Sequence, residues 1–244
     1  MLPGHRRHNR DMKQPIYSSN SLITRYALTA ALLFCVCIAG IVPMQQTSAD
    51  EQAKTRGVVG DVLTPLAMGN SWVYASEDDE IVAIDRVEGL VLFDGKPWYL
   101  LRSYEHEKGK PADTAELVLD NFWIAMIDGV ECDTFLEYDE EQDSLAPAEI
   151  TKYFRYPATL GDTYKPTPET DPSLSVTITA IHEKVKTKAG EFDCVVYKEI
   201  STEDPTYSNT TYIAPGIGII KYIGTEGEES WSSELVSYTL ADVK

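Results

Sequence analysis

The segment YIAPGIGIIKY, residues 212–222, sets Gly216 and Gly218 one residue apart, behind a proline and ahead of Lys221. Glycines in that spacing with a lysine nearby are parts of a phosphate-cradling loop. Such a loop follows a strand and opens a helix, whose N-terminus binds the phosphate. Here the residues after Gly218 are IIKYIGT, β-branched and aromatic, and Gly224 closes them. No G-K-[ST] follows. The spacing therefore predicts a turn at Pro215-Gly216 that feeds a strand, with Gly218 bulging that strand or admitting a close neighbour. In that reading Gly216 has positive φ and Lys221 faces water.

Other chemistry finds little local support. Beyond residue 49 the histidines are His106 and His182, far apart, and no H-x-H, H-E-x-x-H or C-x-x-C occurs. Zinc thus has no ligand pattern, and neither G-x-S-x-G nor another serine-nucleophile signature is present. Acidic runs stand at 76–80, 137–143 and 225–230. Asp139, Glu141 and Asp143 alternate as in a calcium loop, but the glycine and the terminal glutamate of such a loop are missing. We assign no catalytic, cofactor-binding or metal-binding residue, and expect no cofactor.

These residues must be carried by strands. SLSVTITAI (173–181) alternates, with Leu174, Val176, Ile178 and Ala180 on one face; EFDCVVYKEI (191–200) places Phe192, Cys194 and Val196 together. Ala189-Gly190 turns the chain between them. Asp94-Gly95 and Asp128-Gly129 each separate two apolar runs, a strong hairpin signal. Further strands are predicted over 71–76, 81–93, 115–119, 207–213, 217–223 and 229–240. No sustained helical period with caps appears after residue 49. The fold class is mostly β, with few helices: an antiparallel curved sheet forming an open half-barrel, or a sandwich. PLAMGNSWVY from Pro65 and PATLGDTYKP from Pro157 share P-[LA]-x-x-G-[ND]-[ST]-aromatic, 92 residues apart. This is either a duplicated half-unit or a recurring strand-entry turn. Trp72, Trp98, Trp123 and Trp231 fall on separate strands and fill a core or line a concave pocket.

The front of the chain differs. Five basic residues and one acid precede an apolar run at 26–44, and TSA with Thr47 and Ala49 precedes Asp50. This is the pattern of a secretory signal over 1–49, with Met12 an alternative start. The other reading is an uncleaved membrane anchor, the only membrane contact the sequence suggests. Either way the charge asymmetry directs the rest, a tether at 50–61 and one β-rich domain over 62–244, outside the cytoplasm, periplasmic or secreted. From Asp50 onward 16 basic and 38 acidic residues give a net charge of −22. That field repels nucleic acid and anionic membranes. Cys35 and Cys37 lie within the leader; Cys132 and Cys194 remain, both predicted to point inward, either bridged or as two buried thiols.

Pro65, Leu66, Gly69, Trp72 and Tyr74, then Ala189, Gly190, Phe192 and Cys194, then Ala214, Pro215, Gly216, Gly218 and Lys221 form three motifs. With them the chain resembles a group of exported bacterial β-domains of uncharacterised function. The resemblance implies a curved antiparallel sheet similar to periplasmic lipoprotein-carrier half-barrels, and brings no catalytic residues. The acidic stretch 139–143 falls outside it. Two functions follow as expectations: a non-enzymatic exported module binding an apolar ligand or an envelope partner, or a hydrolase using dispersed carboxylates.

Overall fold

The structure, a computed structural model, describes residues 62–76, 80–139, 144–147 and 149–241. The leader, the tether and most of the acidic runs at 76–80 and 137–143 lie outside the described residues. The strands are β1 (Ser71–Ser76), β2 (Ile81–Phe93), β3 (Lys96–Glu107), β4 (Glu116–Ile127), β5 (Val130–Thr134), β6 (Leu136–Asp139) and β7 (Ser144–Pro147), then β8 (Thr151–Arg155), β9 (Thr163–Tyr164), β10 (Leu174–Thr187), β11 (Gly190–Ser201), β12 (Ser208–Ala214), β13 (Gly218–Glu226) and β14 (Glu229–Thr239). Twelve of them form one antiparallel sheet in the order β8-β5-β4-β3-β2-β1-β14-β13-β12-β11-β10-β9, and β6 pairs with β7 separately. The only helical turn among the described residues is a 3-10 turn at Ala112–Thr114. Of the two arrangements the alternation allowed, the open curved sheet forms and the sandwich does not.

The hairpins form where turn chemistry demands them. Asp94 (φ 49°) and Gly95 (φ 71°) join β2 to β3, and Asp128 (φ 51°) and Gly129 (φ 78°) join β4 to β5. Both central residues lie in the left-handed region that a tight hairpin requires. The echoed entry turns share their hydrogen bonds as well as their letters. In the first, the Gly69 N–H donates to Val87 O and the Val87 N–H to Asn70 O, each at 2.9 Å. In the second, Gly161 donates to Ile178 O at 2.8 Å and Ile178 to Asp162 O at 2.9 Å. Each turn delivers a buried aromatic, Trp72 or Tyr164, into a core cluster.

The sheet curls until its two edges approach. Phe154 of β8, at one edge, meets Tyr197 of β11 with ring centroids 4.9 Å apart. The Tyr197 hydroxyl donates to Arg155 O at 2.8 Å, and the Tyr164 hydroxyl donates to Tyr153 O. The Lys152 N–H reaches Pro166 O at 3.1 Å. The sheet stays open because β8 and β9 share no strand ladder; side-chain contacts and the Lys152–Pro166 backbone bond close the seam instead.

Three apolar clusters cover its two faces. One joins Phe154, Tyr164, Val176, Ile178, Tyr197 and Ile213 across the seam. A central one joins Trp72, Val87, Phe192, Cys194, Ile220 and Leu235. A third, on the opposite face of β3, β4 and β5, holds Trp98, Leu100, Trp123, Ala125, Cys132 and Leu136. Trp72, Trp98 and Trp123 are therefore core residues. Alternation on β10 and β11 breaks where their register slips, between Ile178 and Glu183. Phe192 and Cys194 join the central cluster, whereas Val195 and Tyr197 join the seam. The predicted face of Phe192, Cys194 and Val196 thus splits after Cys194: Val196 is buried but belongs to neither cluster. The irregularity lets one long hairpin bury side chains in two clusters as it bends. Cys132 and Cys194 are buried free thiols in separate clusters, with no disulfide between them.

Candidate functional site

The glycine pair of the opening segment is structural. Gly216 (φ 79°) lies in the turn between β12 and β13 and donates to Val62 O at 2.9 Å and Leu63 O at 3.0 Å. Gly218 (φ 110°) lies against the Trp72 indole, whose Nε1 donates to Ile217 O at 2.6 Å. No helix follows; β13 does. Lys221 pairs with Glu234 of β14 at 2.6 Å and is only partly exposed, where open solvent was expected. His106 and His182 do not come together with other candidates: His106 Nδ1 lies 2.9 Å from Glu107 O, and exposed His182 lies 3.4 Å from Asp193. Among the described residues no three His, Cys, Asp or Glu side chains are grouped to hold a metal ion.

What the structure does bring together is a set of inward-facing acids. Directly opposed residues of an antiparallel pair share a face. The register Leu90↔Tyr99, Tyr99↔Ile124, Ile124↔Asp133 and Asp133↔Thr151 therefore runs as one row across β2, β3, β4, β5 and β8. Tyr99 packs against the central cluster, which places this row on the inner face. Glu131 lies on the same face, opposite Phe154. From the other half, Glu199 of β11 shares the inner face of Tyr197, and Asn209 of β12 is its partner.

Burial dominates the electrostatics of these acids. Glu199 is 6% exposed; its Oε1 accepts from the Tyr207 hydroxyl at 2.7 Å and from Asn209 Nδ2 at 3.1 Å, while its Oε2 is buried without a partner among the described residues. Loss of hydration raises its pKa, the two hydrogen bonds oppose the rise, and Asp171 adds to it. Glu131 is 7% exposed, and its Oε2 and the neighbouring Thr64 hydroxyl lack well-formed hydrogen bonds. Burial pushes Glu131 up to about 7, with Thr64 offsetting part of the rise. Asp133 is held well above the carboxylate range by burial, against the Thr151 hydroxyl, and by repulsion from Glu131, Glu199 and Glu149. The Tyr153 phenol is raised by burial and then by Asp133 and Glu199. Acids from two facing walls of the curled sheet therefore act on one another. A further inward acid, Asp85, accepts from the Ser103 hydroxyl at 2.5 Å, and burial pushes it up to about 6.

At its other end the row is apolar and open. Leu90 is 50% and Leu92 74% exposed, although both lie on the inner face of β2. The arrangement is an apolar strip that leaves solvent at the β2–β3 tip, passes Tyr99 and Ile124, and ends at half-buried Asp133 beside buried Glu131. Sequence reasoning missed the acids. β5 is covered on both faces, so alternation, which places Cys132 inward, carries no signal that Glu131 and Asp133 are turned inward as well. A cue was present in TYSNTTYI, whose Asn209 and Thr211 put polar groups at inward positions.

The sequence matches no family model, and it matches no curated protein. Among solved structures, the chain is similar to an exported protein with a YmcC-like fold from Bacteroides fragilis NCTC 9343, at 12% identity, over 74% of this chain and 100% of that one, with TM-score 0.46. It is also similar to a lipoprotein from Parabacteroides distasonis ATCC 8503, at 11% identity, over 73% of this chain and 99% of that one, with TM-score 0.45. At those values the site is read from its own residues alone.

Proposed function

We propose that this protein is an exported, non-enzymatic binding module whose curled sheet takes an apolar ligand along its inner face. One observation carries the reading: Leu90 and Leu92 are solvent-exposed on the face that, two strands further on, becomes the core. A hairpin tip that only needed solubility would carry polar residues there. Native mass spectrometry of protein purified from its own envelope tests this. The expected result is a retained adduct, released by organic solvent and absent from the Leu90→Ser, Leu92→Ser double variant. Identical adduct-free spectra for both proteins would overturn the reading.

A hydrolase is favoured by one observation, the burial of the Glu131 carboxyl, which pushes it up to about 7, the range of a general acid. Turnover of chromogenic glycosides or esters by the wild type, lost in Glu131→Gln, would establish that reading in place of the first.

A further inference from the structure

The inner row joins two surfaces that a ligand would meet in sequence. Leu90, Tyr99 and Ile124 form an apolar strip one side chain wide on each of three strands. The row then reaches Asp133, with Glu131 beside it opposite Phe154; from the other half of the sheet, the Tyr197 ring packs on Phe154 and Glu199 lies two residues further along β11 on the same face. Glu199 and Glu131 are each more than nine-tenths buried; Glu199 Oε2 has no partner among the described residues, and Glu131 Oε2 has only the Thr64 hydroxyl near it, without a well-formed hydrogen bond. A buried carboxyl oxygen left unbonded is costly, and native proteins satisfy such groups with protein, water or ligand.

The missing group has a definable chemistry. The side chains on this part of the inner face, Glu131, Asp133 and Glu199, are all carboxyls, which offer acceptor oxygens to a head group and disfavour an anionic one. A bare metal ion needs its ligands gathered tightly round one point, and the described acids are not so gathered. A primary ammonium differs: it has three diverging N–H donors and reaches acceptors on separate walls. Its charge would replace the mutual repulsion of the acids with charge-assisted hydrogen bonds. The Tyr207 hydroxyl, already bonded to Glu199 Oε1, holds that carboxyl in place.

We propose that the inner face seats an amphiphile with a primary ammonium head, its chain along Leu90, Tyr99 and Ile124 and its head between Asp133, Glu131 and Glu199. This rests on the apolar-ligand reading above, and the test separates the two. Dodecylamine, dodecan-1-ol and dodecanoate are titrated below their aggregation concentrations into the full exported protein at pH 7.5, with binding read by calorimetry. The amine is expected to bind about tenfold tighter than the alcohol, with dodecanoate weakest. Glu199→Gln and Asp133→Asn should each bring the amine close to the alcohol and leave the alcohol unchanged. Glu116→Gln, at an exposed acid of β4, should change neither. Alcohol or dodecanoate binding as tightly as the amine would overturn the ammonium head and leave the apolar strip standing. The same holds if Glu116→Gln weakens the amine as much as Glu199→Gln does. No binding of any of the three would overturn both. The wild-type series decides without the variants if either inner substitution prevents folding.

Discussion

At the scale of the residue, the glycines and the buried acids make opposite demands. Gly216 holds φ 79° and lends its N–H to the Val62 and Leu63 carbonyls. A Cβ is strained at that φ, so Gly216→Ala is expected to cost roughly 1 kcal/mol or more. Lys221→Ala loses a partly exposed ion pair with Glu234 and should cost less than about 1 kcal/mol. Chemical melts of the two variants check the order, and ATP should shift neither melt. Glu131 makes stability depend on pH. Its folded value, about 7, lies above its ordinary 4.5. Between those values the folded state holds a proton that the unfolded state has released, so rising pH removes stability. The loss runs at about 1.4 kcal/mol per pH unit for each such group and ends above the folded value. Asp85, at about 6, adds to the loss over a lower window. Melts at pH 5, 6, 7 and 8 should therefore show declining stability, and Glu131→Gln should flatten the decline by raising the values at pH 7 and 8. An unchanged slope in that variant would contradict the assignment.

At the scale of the element, the seam is what distinguishes this sheet from a row of hairpins. The long pairs β2–β3 and β10–β11 were legible because alternation and Asp-Gly or Gly turns specify them locally, and the predicted bounds of β1 and β2 are those observed. The short β8 and β9 were not delimited, because their pairing depends on partners far along the chain. The acids were illegible for a related reason: a strand covered on both faces has no solvent side for alternation to reveal. The echoed entry turn was legible in letters, and the structure adds that both copies bond the next strand identically. The seam depends on tyrosine hydroxyls. Tyr197→Phe removes the bond to Arg155 O while keeping the ring on Phe154. The expected cost is about 1 kcal/mol, more if the carbonyl stays unsatisfied. Hydrogen exchange should localise the loss of protection to β8 and its β5 partner. Uniform loss across β1 and β14 would mean the hydroxyl has no special part in closing the sheet.

At the scale of the whole molecule, the cysteines connect export to stability. If the leader is removed before Asp50, as we propose, Cys35 and Cys37 would depart with it and Cys132 and Cys194 would remain. In an oxidising compartment two remaining thiols would ordinarily be expected to pair. Here they lie in different clusters, on faces of the sheet that do not meet. Burial pushes Cys132 up to about 11 and Cys194 up to about 12, with neighbouring acids adding to both. A thiol held so far above neutral pH has almost no thiolate, the reactive form, and buried sulfur is also out of reach. The mature protein should therefore carry two free thiols and need neither reductant nor oxidant to fold. Intact mass after iodoacetamide treatment checks this in one experiment. Native protein should show the mass of residues 50–244 without added label, and protein treated in guanidinium should gain two labels. Added reductant should leave the melting temperature unchanged. A mass two hydrogens lighter that takes label only after reduction would mean the cysteines pair, and with them that the two clusters meet. Rapid single labelling of the native protein would mean that one cluster opens to solvent.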